Sequence, residues 1–180
     1  DAAPAGDGAA AVIVTAAERA SDMVPNPVRV AGSAMATDTI GVHDRKDVLH
    51  LAAASRSAAA AMEAAGVTHE EIDLFELHDV FTVMAALSLE ASGFAERGEG
   101  WKLARDGEIN RDGRIPISTM GGLKARGNPI GATGVYQIVE VAQQLRGEAG
   151  PCQIANARIG MAQNLGGTGA TAVTHILRID

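Results

Sequence analysis

The sequence predicts a layered α/β fold, and three observations carry the prediction. Apolar runs of strand length alternate with alanine-rich or amphipathic stretches of helical length, giving one strand and then the order βαβαβαββ. Glycine-rich turn phrases separate them. With 47% apolar residues, a chain of 180 is long enough to bury a real core.

Taken in order, the chain opens at Asp1 without an initiator Met, on low-complexity Ala, Gly, Pro and Asp, and reads as the continuation of preceding sequence. Ala9 to Thr15 is a short apolar run of buried-strand type, and a short helix follows over Ala16 to Ser21. Pro25 and Pro27 break it, and Val28 to Gly32 reads as a second strand. Ser33 to Leu49 is irregular. Leu51 to Ala65 is alanine-dense, lacks interior Gly or Pro, and stops at Gly66, which fits a helix with a glycine C-cap. Thr68 caps the next turn, and Ile72 to Leu77 alternates apolar and acidic residues as a strand that delivers His78-Asp79 to its end. A helix from Phe81 to Ala91 follows, and then a charged, turn-rich stretch from Phe94 to Gly113 anchored by Trp101. Ile115 to Ser118 is a strand. Beyond a glycine loop, Val135, Ile138, Val139, Ala142 and Leu145 fall at i, i+3, i+4, i+7 and i+10, the clearest helical period in the chain. Gly134 opens that helix and Gly147 ends it. Gln153 to Ala162 and Ala170 to Ile179 are strands, joined through the turn Asn164-Leu165-Gly166-Gly167-Thr168-Gly169 as a hairpin.

Bulk properties exclude several classes. A formal charge of −7 with no polybasic run argues against nucleic-acid binding. No apolar stretch approaches the roughly 20 residues of a membrane span, and no signal peptide is visible. Cys152 is the one cysteine, which rules out an internal disulfide and a cysteine-based zinc site and points to a reducing cytoplasm. His43, His50, His69 and His175 show no metal spacing, so no metal is assigned.

The chemistry is expected in the loop Ser118 to Gly134. Its glycines at 121, 122, 127, 131 and 134 allow positive φ and close approach to a ligand, and it leads into unpaired amides at a helix start. Such a loop suits a phosphate, a thioester or an oxyanion. Three strand ends converge on one region: His78-Asp79-Val80-Phe81, the loop around Asn128, and Gln163-Asn164 ahead of Gly166-Gly167. In this order, Asp7-Gly8-Ala9-Ala10-Ala11, Glu76-Leu77-His78-Asp79-Val80-Phe81, Gly121-Gly122 with Gly127-Asn128-Pro129-Ile130-Gly131-Ala132-Thr133-Gly134, and Asn164-Leu165-Gly166-Gly167-Thr168-Gly169 resemble the C-terminal half of thiolases, in the archaeal and sterol-carrier-protein-type branch.

The resemblance implies a thiolase-like fold of two similar βαβαβαββ halves on mixed five-stranded sheets. Residues 1–24 would end the first half with its last strand, and residues 25–180 would be the second. It implies an acyl-CoA acyltransferase of the acetyl-CoA acetyltransferase type, acting on a carbon–carbon bond beside a coenzyme A thioester, with no permanently bound cofactor. The nucleophilic Cys would come from an N-terminal half in the same or another chain, since Cys152 lies before a strand, far from the glycine motifs, and reads as an inert core residue. A homo-oligomer and a small zinc-ribbon/OB-fold partner are implied as well.

Where thiolases carry a GHP histidine this chain has Asn128, which donates a hydrogen bond but has no basic nitrogen. Val80 stands where sterol-carrier-type thiolases place a second Cys, and Gln163-Asn164 replaces an archaeal-like His-Asn. By position His78 and Asn128 resemble the oxyanion pair of type III ketoacyl synthases, and they are the expected catalytic residues, His78 doubling as acid/base. Gly121, Gly122, Gly127, Gly131 and Gly167 are the expected thioester-binding positions, and Gln163, Asn164 and Tyr136 rank below them. The bland readings stand beside these: Asp79 as N-cap of the Phe81 helix, Tyr136 as packing, Lys124 and Arg126 as solvated loop charges rather than phosphate ligands. The loss of the histidine and the second Cys also suits a retro-aldolase of steroid or lipid side chains, or a non-catalytic acyl-CoA-binding subunit.

Overall fold

The computed structural model describes residues 1–179. Its elements in chain order are helix α1 (Ala17–Met23), strand β1 (Arg29–Thr37), α2 (Ala52–Ala65), β2 (Leu74–Glu76), α3 (Thr82–Ala91), α4 (Gly100–Arg105), α5 (Gly122–Arg126), α6 (Thr133–Arg146), β3 (Ile159–Gly166) and β4 (Thr171–Arg178). The sheet is mixed, in the order β1-β4-β3-β2: β4 pairs antiparallel with both β1 and β3, and β2 runs parallel to β3. This confirms the predicted α/β class.

Helices cover both faces, and period-2 alternation decides what each receives. Phe75, Met161 and Ile176 point to the α2 side, where Ala58 and Ala61 complete a buried cluster. Leu74, Ala162 and Leu177 point to the α6 side and pack on Val141 and Leu145. The alanines of α2 let the helix approach closely. At Gly32, beside a bulge in β1, a Cβ would lie 2.0 Å from the Ala61 carbonyl oxygen.

Several expectations need correction. Among the described residues the sheet has four strands, not five. Ile115 to Ser118 lies alongside β2 but joins it through one bridge, Phe75 to Ile117. Pro116 has no N–H to extend the ladder, and Ser118 leaves extended geometry at φ 41°. Ala9 to Thr15 forms no strand, because no neighbour among the described residues offers it a ladder; Ile13 and Val14 are 84% and 80% exposed. The strand expected over Val28 to Gly32 runs on to Thr37, carried by pairing with β4. The strand expected from Gln153 begins only at Ile159, since Gly150–Cys152 is a short 3₁₀ turn and Asn156 is left-handed (φ 58°). Asn164 therefore sits inside β3, not in the hairpin turn. Trp101 does not anchor its stretch. It is 53% exposed beneath Arg105, and Phe94, packed against Phe75 at 5.4 Å, anchors it instead.

The apolar stripe of α6 is only partly buried: Leu145 enters the core and Ile138 packs against it. The helix is where the apolar period places it, but its buried residues are Thr133, Gln137, Glu140, Val141, Gln144 and Leu145. Val135, Ile138, Val139 and Ala142 lie half-buried. Polar side chains win the inner face because each finds a buried partner there. Gln144 donates to Thr119 Oγ1 (2.8 Å) and the Cys152 carbonyl (2.7 Å) and accepts from Ile154 N–H (2.8 Å), stitching two loops together.

Candidate functional site

β2 points Leu74 and Glu76 toward α6 and Phe75 toward α2; carried two residues further, the alternation turns His78 to the α6 side. There Nδ1 of buried His78 meets Asn164 Nδ2 at 3.2 Å. Asn164 also donates to Gln137 Oε1 (3.2 Å), and Gln137 Nε2 donates to the Gln163 carbonyl (3.0 Å). Burial holds the His78 imidazole below its ordinary pKa, with the negative charge of Asp79 opposing, so the ring is neutral at pH 7.

Asp79 does not cap the Phe81 helix as expected. Its carboxylate reaches the glycine loop, accepting from Leu123 N–H (2.8 Å) and Lys124 N–H (3.3 Å) at the start of α5. That contact explains the second glycine of the pair. Gly122 sits at φ +60°, and a Cβ there would come within 2.4 Å of the Asp79 carboxylate. His78-Asp79 and Gly121-Gly122 are thus halves of one interlock.

Asn128 is half-buried on the neighbouring loop. Its Oδ1 accepts from Ile130 N–H and from the Thr133 hydroxyl, both at 3.0 Å. Since a backbone N–H can only donate, the amide orientation is set, and Nδ2 is the group left to offer. The N-terminal arm ties the two loops together: Ala3 N–H donates to the Val80 carbonyl (2.8 Å) and Asn128 N–H to the Pro4 carbonyl (2.8 Å), so consecutive arm residues hold both.

The remaining predicted positions scatter. Gly121 and Gly127 take positive φ within the loop, whereas Gly131 does not and faces open space; Gly167 lies in the β3–β4 turn. Gly134 takes no positive φ either, and a Cβ added there would meet Asn164 in ordinary contact at 3.5 Å. Gln163 turns its side chain to the α2 side, donating to the Ala54 carbonyl (3.1 Å) and Thr174 Oγ1 (3.0 Å), away from His78. Tyr136 lies under the arm at Gly8, with the Arg126 guanidinium 5.0 Å from its ring centre. Lys124 pairs with Asp1 and Arg126 with Glu140, so both loop cations are engaged.

Sequence reading missed Gln137 and a buried carboxylate pair beneath the loop, Glu76 on β2 and Glu140 on α6. One signal was present: Thr133, Gln137, Glu140 and Gln144 form a polar line at i, i+4, i+7 and i+11. Burial raises Glu76 well above the carboxylate range and the charge of Glu140 adds to it; Thr119 N–H, donating to Glu76 Oε1 at 3.1 Å, opposes weakly. The folded state therefore keeps a proton that the unfolded chain releases above about pH 4.5. Stability falls as pH rises from there until the folded carboxyl itself ionises. Glu76→Gln, isosteric with the protonated acid, is expected to flatten that decline when urea midpoints are measured across pH 5 to 9. Parallel slopes for the two proteins would show that Glu76 is ionised in the fold.

Comparison with known proteins fits this geometry. Residues 34–179 match the family model described as thiolase C-terminal domain-like. The chain is 48% identical over 176 residues to an acetyl-CoA acetyltransferase of Methanothermobacter thermautotrophicus, covering 98% of this chain and 46% of that protein. It is 36% identical over 176 residues to human sterol carrier protein 2, covering 95% of this chain and 32% of the relative. The chain thus spans half or less of the length of these curated relatives. Among solved structures, the Ltp2-ChsH2(DUF35) aldolase superposes with a TM-score of 0.83 at 24% identity, over 91% of this chain and 42% of that one, a likeness of fold. No helix among the described residues is long and apolar enough to cross a membrane.

Proposed function

The chain belongs to the thiolase C-terminal domain family, and from that premise we propose that it supplies the oxyanion-stabilising half of an acyl-CoA enzyme, polarising a thioester while the carbon–carbon bond beside it is made or broken. The observation that carries this reading is the locked amide of Asn128. With Oδ1 committed to Ile130 and Thr133, Asn128 offers a donor only, on a loop tied to that of neutral His78. Two preorganised donors aimed at one carbonyl oxygen stabilise its developing charge by about 3 kcal/mol each. Neither His78 nor Asn128 is a nucleophile, so the acyl-accepting Cys belongs to a further half, in the same or another chain. Two surfaces favour such a half: the partly exposed apolar residues Val135, Val139 and Ala142 of α6, and the exposed run Val12 to Val14. Assembly as a homo-oligomer, a small partner subunit and a cytoplasmic location are part of the same reading.

A second reading has its own support. With Asn128 and Val80, neither position can accept a proton, and retro-aldol cleavage of a 3-hydroxyacyl-CoA requires thioester polarisation without an acyl-enzyme. Asn128→His separates the readings. Assayed in the full protein, the variant is expected to gain at least about tenfold in coenzyme A-dependent thiolysis of a 3-oxoacyl-CoA, because an imidazole can take the thiol proton. Retro-aldol turnover by the natural protein, with no gain on substitution, would hand the site to the second reading. Retained CoA-thioester binding with turnover of neither substrate would make the chain a binding subunit.

A further inference from the structure

Four polar groups between β3 and α6 decide which nitrogen of His78 carries its hydrogen. The Gln163 carbonyl can only accept, so Gln137, 3.0 Å away, must turn its NH₂ toward it and its oxygen toward Asn164. That oxygen can only accept as well, so Asn164 must present its NH₂ at 3.2 Å. The same Nδ2 stands 3.2 Å from His78 Nδ1 and offers that nitrogen a hydrogen. Nδ1 must then hold a lone pair, which places the ring hydrogen on Nε2. No free choice of amide flip remains, because the chain of donors ends on a backbone carbonyl.

We infer that Asn164, oriented by Gln137, is a positioning residue that holds His78 as the Nε2–H tautomer, so that the imidazole enters the reaction as a hydrogen-bond donor to the thioester oxygen and not as a proton acceptor. The inference rests on the reading of His78 as an oxyanion donor given above. It adds a direction to it: the hydrogen is present at Nε2 before substrate arrives, and no proton need be gained or lost to supply it.

The test is a two-bond ¹H–¹⁵N correlation on the protein as the cell makes it, labelled with ¹⁵N-histidine, the His78 signal being identified by its loss in His78→Gln. The natural protein is expected to show hydrogen on Nε2. Asn164→Asp presents an acceptor in the same place and is expected to move the hydrogen to Nδ1, with kcat falling about a hundredfold, as for one lost oxyanion donor, and KM within about threefold. Hydrogen on Nδ1 in the natural protein overturns the inference, and that measurement stands even where the aspartate variant does not fold. An aspartate variant that keeps Nε2–H overturns it too. Near-normal turnover of His78→Ala beside an intact Nε2–H signal would instead remove the oxyanion reading and leave the relay standing.

Discussion

Replacing His78 with alanine is expected to lower kcat of the full protein on its CoA thioester by about a hundredfold or more, with KM changed far less. A factor of one hundred is about 2.7 kcal/mol of transition-state stabilisation, the size lost with one preorganised oxyanion donor. The loss should fall on kcat because the carbonyl gains charge only on the way to the transition state. Folding should survive, because the ring's bond to Asn164 is the one hydrogen bond its side chain makes among the described residues, and the Asp79 carboxylate beside it still holds Leu123 and Lys124. Steady-state kinetics alongside a thermal melt separates the two effects. Turnover within a fewfold of normal would remove His78 from the chemistry.

The largest expected effect on stability lies on the opposite face. Gly32→Ala should destabilise the fold by about 3 kcal/mol, the upper range for overpacking a close contact. An added Cβ would lie 2.0 Å from the Ala61 carbonyl oxygen and 3.1 Å from Ala65 Cβ. Both belong to α2, whose backbone cannot yield locally without breaking helical hydrogen bonds, and β1 is held in register by β4 along its length. Relief would require lifting the helix from the cluster of Ala58, Phe75, Met161 and Ile176. A melting temperature lowered by roughly 6–12 °C is the expected readout. An unchanged one would show that α2 can withdraw from β1 freely.

Most of the fold could be read in the chain because local signals agreed with tertiary ones. Helix α2 stops at Gly66 and α6 at Gly147 as expected, and the β3–β4 hairpin follows its glycine turn. The failures share one cause, that a strand is a property of two segments. Val12 to Val14 has strand composition and no neighbour, whereas Ser33 to Thr37 looks irregular and is recruited by β4. The site divides the same way. His78, Asn128 and Asn164 stood out through their phrases, and the structure joins His78 to Asn164 directly while the arm ties in Asn128. Gln137 and Glu140 were invisible because a glutamine or glutamate on a helix reads as solvent-facing until its partner on another element is known.

That inward polar line on α6 has a mechanical meaning. Apolar surfaces slide over one another with little change in energy, but a bond to a specific carbonyl is lost within an ångström or a few tens of degrees. Gln137 and Gln144, two turns apart, grip β3 and two loops through five such bonds. The helix is keyed like a shaft in its slot, free neither to rotate nor to creep along its axis. A domain built in this way would transmit a push from a neighbouring half as a rigid lever, delivering His78 and Asn128 to a substrate together or not at all.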